Sequence, residues 1–96
     1  MLQLETKNYQ ILQQILSKYP YKFYAYGSRV KGTARQFSDL DICYFDDIPR
    51  SVVNNIKEEL EESDLPFIVE LVSWKHMRPE FQEMIKGDLT LVNLSA

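Results

Sequence analysis

Residues Tyr26 to Phe45 read Y-G-S-R-V-K-G-T-A-R-Q-F-S-D-L-D-I-C-Y-F, and this stretch decides the fold. The segment that leads into it, Lys22 to Tyr26, is rich in aromatic residues and stops at a glycine, as a strand that feeds a turn does. Ser28 to Lys31 is long enough for a short helix, and a polar loop, Gly32 to Ser38, follows it. Leu40 to Phe45 is β-branched and aromatic, which predicts a second strand.

The rest of the chain supplies helices and a third strand. Apolar residues at helical spacing predict amphipathic helices over Thr6 to Lys18 and over Pro49 to Glu62. An apolar run from Pro66 to Val72 predicts a third strand, and Pro79 to Gly87 has the proline start and glycine end of a last helix. This order predicts an α/β (α+β) fold, a three-stranded sheet with flanking helices, in one domain over residues 1–96.

Composition excludes several classes of function. The 96 residues are 45% apolar with a formal net charge of −3, which is unfavourable for direct binding to nucleic acid. No apolar run approaches the ~20 residues that span a bilayer, and the start of the chain has no signal-peptide pattern. We therefore expect no membrane contact and a cytoplasmic location. Cys43 is the only cysteine, so an internal disulfide and a cysteine-based zinc site are excluded.

Three acidic residues form the candidate metal site. Asp39 and Asp41 are separated by one residue, so on a strand their side chains project to the same face while Leu40 faces the core. Carboxylates at this spacing can share a pair of hard cations with the oxygens of a triphosphate. Glu70 interrupts an apolar strand, where an isolated acid is costly without a partner such as a metal ion. In the metal-bound state Glu70 could orient or deprotonate an attacking hydroxyl.

The turn after the first strand is the candidate phosphate site. Gly27 allows the backbone to approach a ligand closely. Ser28 offers a hydroxyl and an N–H group at the start of a predicted helix, a favourable place for phosphate. Arg29 or Lys31 could add charged contacts to the same phosphates.

Simpler interpretations exist for each element. An Asp-x-Asp pair is common at strand ends, and Glu70 alone could be a surface residue on an edge strand. The spacing of Gly27, Gly32 and Thr33 imitates a P-loop but lacks its lysine. Ser28 lacks the context of a serine hydrolase nucleophile. The combination of the turn, the acid pair and a third acid on another strand is what favours a metal-dependent phosphoryl-type site.

On these residues the chain resembles the minimal nucleotidyltransferases of the DNA polymerase beta-like superfamily. G-S-R-V-K-G resembles the family's G-S-R-x-x-G turn, S-D-L-D-I its acid pair, and V-E-L-V its third acidic strand. The resemblance implies a mixed sheet and Mg²⁺, two ions, held by Asp39 and Asp41 with Glu70 as third acid. It also implies ATP bound around Gly27, Ser28 and Arg29, and transfer of a nucleotidyl group with loss of pyrophosphate.

Stand-alone members this short resemble the antitoxins of toxin-antitoxin pairs whose partner is a HEPN-type ribonuclease toxin. That resemblance implies transfer of AMP to a tyrosine hydroxyl of the toxin, within a hetero-oligomer or with the chain as a homodimer. The apolar tail (Leu89, Leu91, Val92, Leu94) could dock on such a partner, form a last strand or pack against the first helix. Two alternatives stay open: a non-catalytic antitoxin that acts by complex formation, and a nucleotidyltransferase for small molecules of the aminoglycoside type.

Overall fold

The computed structural model of the protein describes residues 2–93. Four helices and four strands alternate along the chain: α1 Thr6–Leu16, β1 Tyr24–Tyr26, α2 Ser28–Lys31, β2 Leu40–Tyr44, α3 Arg50–Glu62, β3 Val69–Ser73, α4 Pro79–Ile85 and β4 Thr90–Leu91. Short 3-10 turns, Trp74–His76 and Lys86–Asp88, flank α4. None of the described helices is long and apolar enough to span a membrane.

The four strands form one mixed sheet in the order β3-β2-β1-β4. β1 pairs antiparallel with β2 and β4, whereas β2 and β3 are parallel. Parallel neighbours need a crossover connection, and α3 provides it between β2 and β3. The predicted α/β class with a mixed sheet is confirmed, but the prediction of three strands missed β4.

One face of the sheet packs on α1 and α3. Alternate strand residues point to this face and are fully buried, among them Ala25, Leu40 and Ile42. The facing helix residues are Leu12 and Leu16 of α1 and Val53, Ile56 and Leu60 of α3. Full burial of each large apolar side chain contributes roughly 1.5–3 kcal/mol, so this layer fixes the strand registers. The other face is covered only in part, by α4, and it is free to carry polar groups.

The C-terminal segment closes the sheet beside β1. The backbone N–H of Val92 donates to Phe23 O at 2.8 Å. The Asn93 side chain accepts from Phe23 N at 3.0 Å and donates to Tyr21 O at 2.7 Å. Leu91 pairs with Tyr24 in β4, so the last strand, one of the expected alternatives for the tail, is confirmed at Leu91, and Val92 after it is fully buried. Leu94, the last member of the predicted apolar tail, lies outside the described residues.

Element boundaries differ from the sequence-based expectation by a few residues. β1 starts at Tyr24 rather than at Lys22, and β3 starts at Val69 rather than at Pro66. Pro66 has no N–H for a strand ladder, which accounts for the later start of β3. Helix α1 ends at Leu16, and α4 ends at Ile85 and is followed by the 3-10 turn Lys86–Asp88.

Candidate active site

Asp41 lies at the centre of the candidate site because its strand is an inner strand of the sheet. It pairs across β1 with Tyr26 and across β3 with Glu70. Paired residues point to the same face of a sheet, and neighbouring strands lie about 4.8 Å apart. The structure thus places the Asp41 and Glu70 side chains next to each other, on the face that α4 covers only in part.

Asp39 precedes β2 by one residue and is exposed. It stands two positions before Asp41, so strand alternation directs it toward the same face, while Leu40 between them is fully buried in the helical layer. The backbone N–H of Leu40 donates to Ile68 O at 2.9 Å, which continues the ladder to the segment before β3. The Asp39–Asp41 pair and Glu70, which is distant from the pair in sequence, are therefore brought to the same end of two parallel strands.

Gly27 forms the turn that brings the phosphate-site candidates against the acids. Its φ of 83° and ψ of −153° are strained for any residue with a side chain. A Cβ atom here would lie 2.7 Å from Oδ2 of Asp41, closer than atoms can pack. Glycine is required both for the backbone angle and for the close approach to the carboxylate.

Ser28 begins α2 directly after this turn. The Gly27 carbonyl accepts from the N–H groups of Val30 and Lys31, each at 3.0 Å, which holds the turn and the helix together. The first N–H groups of a helix have no acceptor within the helix. In α2 these are the N–H groups of Ser28 and Arg29, which directly follow the Gly27 contact with Asp41 and, within the described part of the chain, are free to bind a ligand. This is the position predicted for phosphate contact.

Burial and nearby negative charge raise the pKa of two groups at the site, Asp41 and Tyr26. Desolvation, and then the charges of Asp39 and Glu70, raise the pKa of Asp41 above its usual range. Desolvation, followed by the charges of Asp41, Cys43 and Glu70, raises the pKa of Tyr26 to about 12. The Asp41 carboxylate thus senses both other acids, an arrangement that favours neutralisation by a cation.

The donor set is suited to a magnesium ion in its chemistry. Within residues 2–93 no group of three or more His, Cys, Asp or Glu side chains is already placed to hold a metal ion. The donors nevertheless are carboxylate oxygens, the ligands that Mg²⁺ prefers. Two of them, Asp41 and Glu70, share a register position. The pKa of Asp41 is raised by desolvation and then by the charges of Asp39 and Glu70, and a cation would relieve that repulsion.

A groove of ≈ 780 Å³ runs beside the acids. Asp39 and Glu70 border it together with Phe37 and Ile68, whose side chains are 65% and 64% exposed. A cleft of this size is in the range that holds a small ligand. The site is therefore open to a substrate on the β3 side.

The structure places Arg29 differently from the predicted phosphate contact. Its side chain is 5% exposed, and the guanidinium donates to the backbone carbonyls of Gln3, Gln36 and Ser38. These carbonyls already engage all three guanidinium nitrogens, so the side chain is not directed at a phosphate in the cleft. The nucleotide contact expected of Arg29 stays a prediction, while the bonds of its side chain in the structure are those of a structural residue.

Two site residues were missed by the sequence-based reasoning. Tyr26 pairs with Asp41 and is 6% exposed, and its ring packs edge to face on Phe81 at 5.8 Å. Cys43 lies two positions after Asp41 on the same face and packs with Tyr26 and Ile85. These three buried residues form an apolar floor beneath the acids. The alternation that placed Asp39 and Asp41 on one face could also have placed Cys43 there.

Comparison with known proteins agrees with this geometry. The family described as "Polymerase beta, Nucleotidyltransferase" matches residues 10–93, a range that includes every strand and all candidate site residues. A Haemophilus influenzae protein named "Probable protein adenylyltransferase MntA" is 40% identical over 78 residues, which cover 79% of this chain and 67% of that protein. The chain belongs to the polymerase beta nucleotidyltransferase family, as a minimal nucleotidyltransferase.

Proposed function

We propose that the protein transfers AMP from ATP to a hydroxyl group of a partner protein. The observation that carries this proposal is the meeting of three separate segments on one open face: the Gly27 turn, Asp41 of β2, and Glu70 of β3. A carboxylate that lies next to a turn suited to phosphate binding can coordinate a metal ion that also binds the triphosphate. The adenylyl group and the protein acceptor are supported by the name of the Haemophilus influenzae relative.

In the proposed reaction the acceptor hydroxyl oxygen forms a bond to the α-phosphorus of ATP. The bond between the α-phosphorus and the bridging oxygen to the β-phosphate breaks, and pyrophosphate leaves with that oxygen. Glu70, exposed at the open end of the site, orients the hydroxyl and accepts its proton. Gly27 and the N–H groups that open α2 hold the triphosphate beside Asp41.

Asp39, Asp41 and Glu70 are the residues that would hold Mg²⁺, in two sites by resemblance to the family. When bound, Mg²⁺ supplies positive charge that neutralises the triphosphate and the charge that develops on the leaving group. Since desolvation and then the charges of Asp39 and Glu70 raise the pKa of Asp41, binding of ATP with the cation is expected to be coupled to the ionisation of Asp41.

The partner in this proposal is a HEPN-type toxin that the transfer inactivates, which makes the protein an antitoxin acting in the cytoplasm, where ATP is available. This part rests on the resemblance to minimal antitoxin nucleotidyltransferases and on the protein acceptor in the relative's name. The groove beside Asp39 and Glu70, with its exposed Phe37 and Ile68, offers a side from which a protein segment can bring its hydroxyl to the acids.

The proposal is tested by incubating the protein and its copurified partner with Mg²⁺ and ATP that carries the label on the α-phosphate or, in parallel, on the γ-phosphate. We expect label on the partner from the α-phosphate alone, and none with Asp41→Asn. Transfer from the γ-phosphate would indicate a kinase. Equal labelling with wild type and Asp41→Asn would overturn the proposed site. Neutralisation of the toxin by a folded Asp39→Asn/Asp41→Asn variant would favour the non-catalytic antitoxin.

A further inference from the structure

Arg29 is a buried charge without a carboxylate partner. Its side chain is 5% exposed, and burial lowers the pKa of its guanidinium. None of the ion pairs among residues 2–93 includes it. A buried cation needs compensating hydrogen bonds, and so the positions of those bonds indicate its role.

The guanidinium of Arg29 is bonded to main-chain carbonyls on two segments. Nε and Nη2 donate to Ser38 O at 3.1 and 2.8 Å, and Nη2 also donates to Gln36 O at 3.2 Å. On the other side Nη1 donates to Gln3 O at 2.9 Å, and the Arg29 carbonyl accepts from Gln3 N at 2.6 Å. One side chain thus joins α2, the N-terminal segment and the loop that ends at Ser38.

A third segment, which contains Phe67, contacts the face of the Arg29 guanidinium. The Cζ atom of Arg29 lies 4.2 Å from the ring centre of Phe67, an arrangement in which the aromatic face stabilises the cation. Phe67 is followed by Ile68, whose carbonyl accepts from Leu40 N at 2.9 Å. The segment before β3 is therefore fixed both to Arg29 and to the start of β2.

These contacts surround Asp39. The Ser38 carbonyl belongs to the peptide group that ends at Asp39 N, and Arg29 holds it with two donors. On the other side, the Leu40 N–H is held by Ile68 O. Within residues 2–93 the exposed Asp39 side chain forms no hydrogen bond or ion pair of its own, so its direction depends on these two anchored peptide groups.

We propose that Arg29 is a positioning residue, whose guanidinium fixes the Ser38–Asp39 peptide relative to the Gly27–Ser28 turn and so aims Asp39 toward Asp41. Arginine suits this role because its rigid planar fork spreads donors over three nitrogens and so bonds carbonyls on both sides of the group, whereas lysine carries all its donors on one nitrogen at the end of a flexible stem. Carbonyl partners also leave the three carboxylates free for a cation.

Substitution by lysine distinguishes this role from a phosphate contact. If Arg29 bound phosphate through its charge, lysine at this position would retain part of the binding, and removal of the charge would raise the KM for ATP. A positioning residue would not be rescued by lysine, and its loss would lower kcat. Since a displacement of ~1 Å near a reacting centre costs on the order of 100-fold, we expect Arg29→Lys to lower kcat by about that factor with little change in KM.

The test compares Arg29→Lys and Arg29→Ala with Arg50→Lys and Arg50→Ala, matched changes at an exposed arginine that starts α3. Amide hydrogen exchange gives a readout that does not need activity. We expect Arg29→Lys to speed exchange at Leu40 N–H and at Ser38 N–H, which donates to Arg35 O at 3.1 Å. The Val53 amide in α3, bonded to Pro49 O at 3.0 Å, should exchange as in wild type, and both Arg50 variants should match wild type throughout.

The outcomes are separable. Wild-type exchange and kcat in Arg29→Lys would overturn the proposal, and a change in KM alone would assign Arg29 to phosphate binding. If both Arg29 variants fail to fold, solvent exchange of the side-chain Nε–H groups in the wild-type protein decides. The Nε–H of Arg29 donates to Ser38 O at 3.1 Å and should exchange slowly, whereas exchange as fast as at the exposed Arg50 would overturn the proposal. The inference rests on the proposed function only for the kinetic readout. If wild type transfers no AMP, that function fails, whereas the exchange comparison still tests the position of Asp39.

Discussion

Gly27 and Asp41 lie so close together that a single added carbon atom at Gly27 would come within 2.7 Å of the Asp41 carboxylate. The contact joins the turn after β1 to the inner strand β2, and the positive φ of 83° at Gly27 makes it attainable only without a side chain. Gly27 and Asp41, 14 positions apart in the sequence, thus belong to one unit in the fold.

Substitution of Gly27 separates backbone strain from this contact. Gly32 has a similar φ of 78° but no atom within 4 Å of an added Cβ, and Gly87 likewise has open space. Gly32→Ala should therefore cost only strain, about 1–2 kcal/mol of unfolding free energy, and Gly87→Ala less. Gly27→Ala should cost more than Gly32→Ala and should also abolish transfer. Chemical denaturation and the transfer assay measure both effects.

If Gly27→Ala had the same unfolding free energy and the same transfer activity as Gly32→Ala, the site would not require the close contact between Gly27 and Asp41. Loss of transfer in Gly32→Ala at wild-type stability would instead place the critical backbone at the end of α2.

Replacement of Asp41 by Asn should raise the Tm of the protein without Mg²⁺ and should remove the gain in Tm that Mg²⁺ gives the wild type. Because the folded-state pKa of Asp41 is raised, the folded protein holds this proton more tightly than the unfolded chain. The free energy of unfolding therefore falls as the pH rises from the ordinary value of 3.8 through the raised pKa. Asp41→Asn removes this loss, so at neutral pH without metal its Tm should exceed that of wild type.

With Mg²⁺ the difference in Tm between the two proteins should reverse, because a ligand that binds the folded state raises the Tm. Wild type should gain stability with increasing Mg²⁺ and Asp41→Asn should not. Calorimetry over a range of pH and Mg²⁺ concentration measures both effects. Equal Mg²⁺ shifts in the two proteins, or a lower metal-free Tm for Asp41→Asn, would count against the acid cluster.

Cys43 should be unreactive in the folded protein. It is fully buried, and desolvation raises its pKa to about 11, so the reactive thiolate is scarce at neutral pH. We expect alkylation to be slow up to about pH 9 and to become fast when the chain is unfolded, where a free thiol has a pKa near ~8.5. Because the chain has one cysteine, mass spectrometry reads the product directly. Rapid stoichiometric labelling of the native protein at pH 8 would show that the floor of the site is open.

The elements around Asp41 could be predicted from the sequence because local signals set them. Ser28–Lys31 forms the helix expected between two strands, and Asp39 and Asp41 face one side because Leu40 and Ile42 are drawn into the core. The position of Glu70 opposite Asp41 depends on the parallel pairing of β2 and β3. An isolated acid in an apolar strand indicates a partner but does not give its register.

Long-range contacts account for what the sequence could not show. Arg29 lies in a polar, basic segment of the sequence, where an arginine is expected to be exposed or to bind phosphate. Its burial depends on Phe67 and on Gln3, 38 positions after it and 26 before it along the chain. Strand β4 is only two residues long, too short for a period-2 pattern, and it forms because β1 offers a free edge. The buried side chain of Asn93 secures that edge.

The most direct test of the account is the intact mass of the partner protein after incubation with the wild-type protein, ATP and Mg²⁺. The account predicts a gain of one AMP unit for each transfer, lost with Asp39→Asn/Asp41→Asn and lost when the cation is chelated. Wild-type enzyme that is folded and bound to its partner, yet leaves the partner's mass unchanged under these conditions, would contradict it.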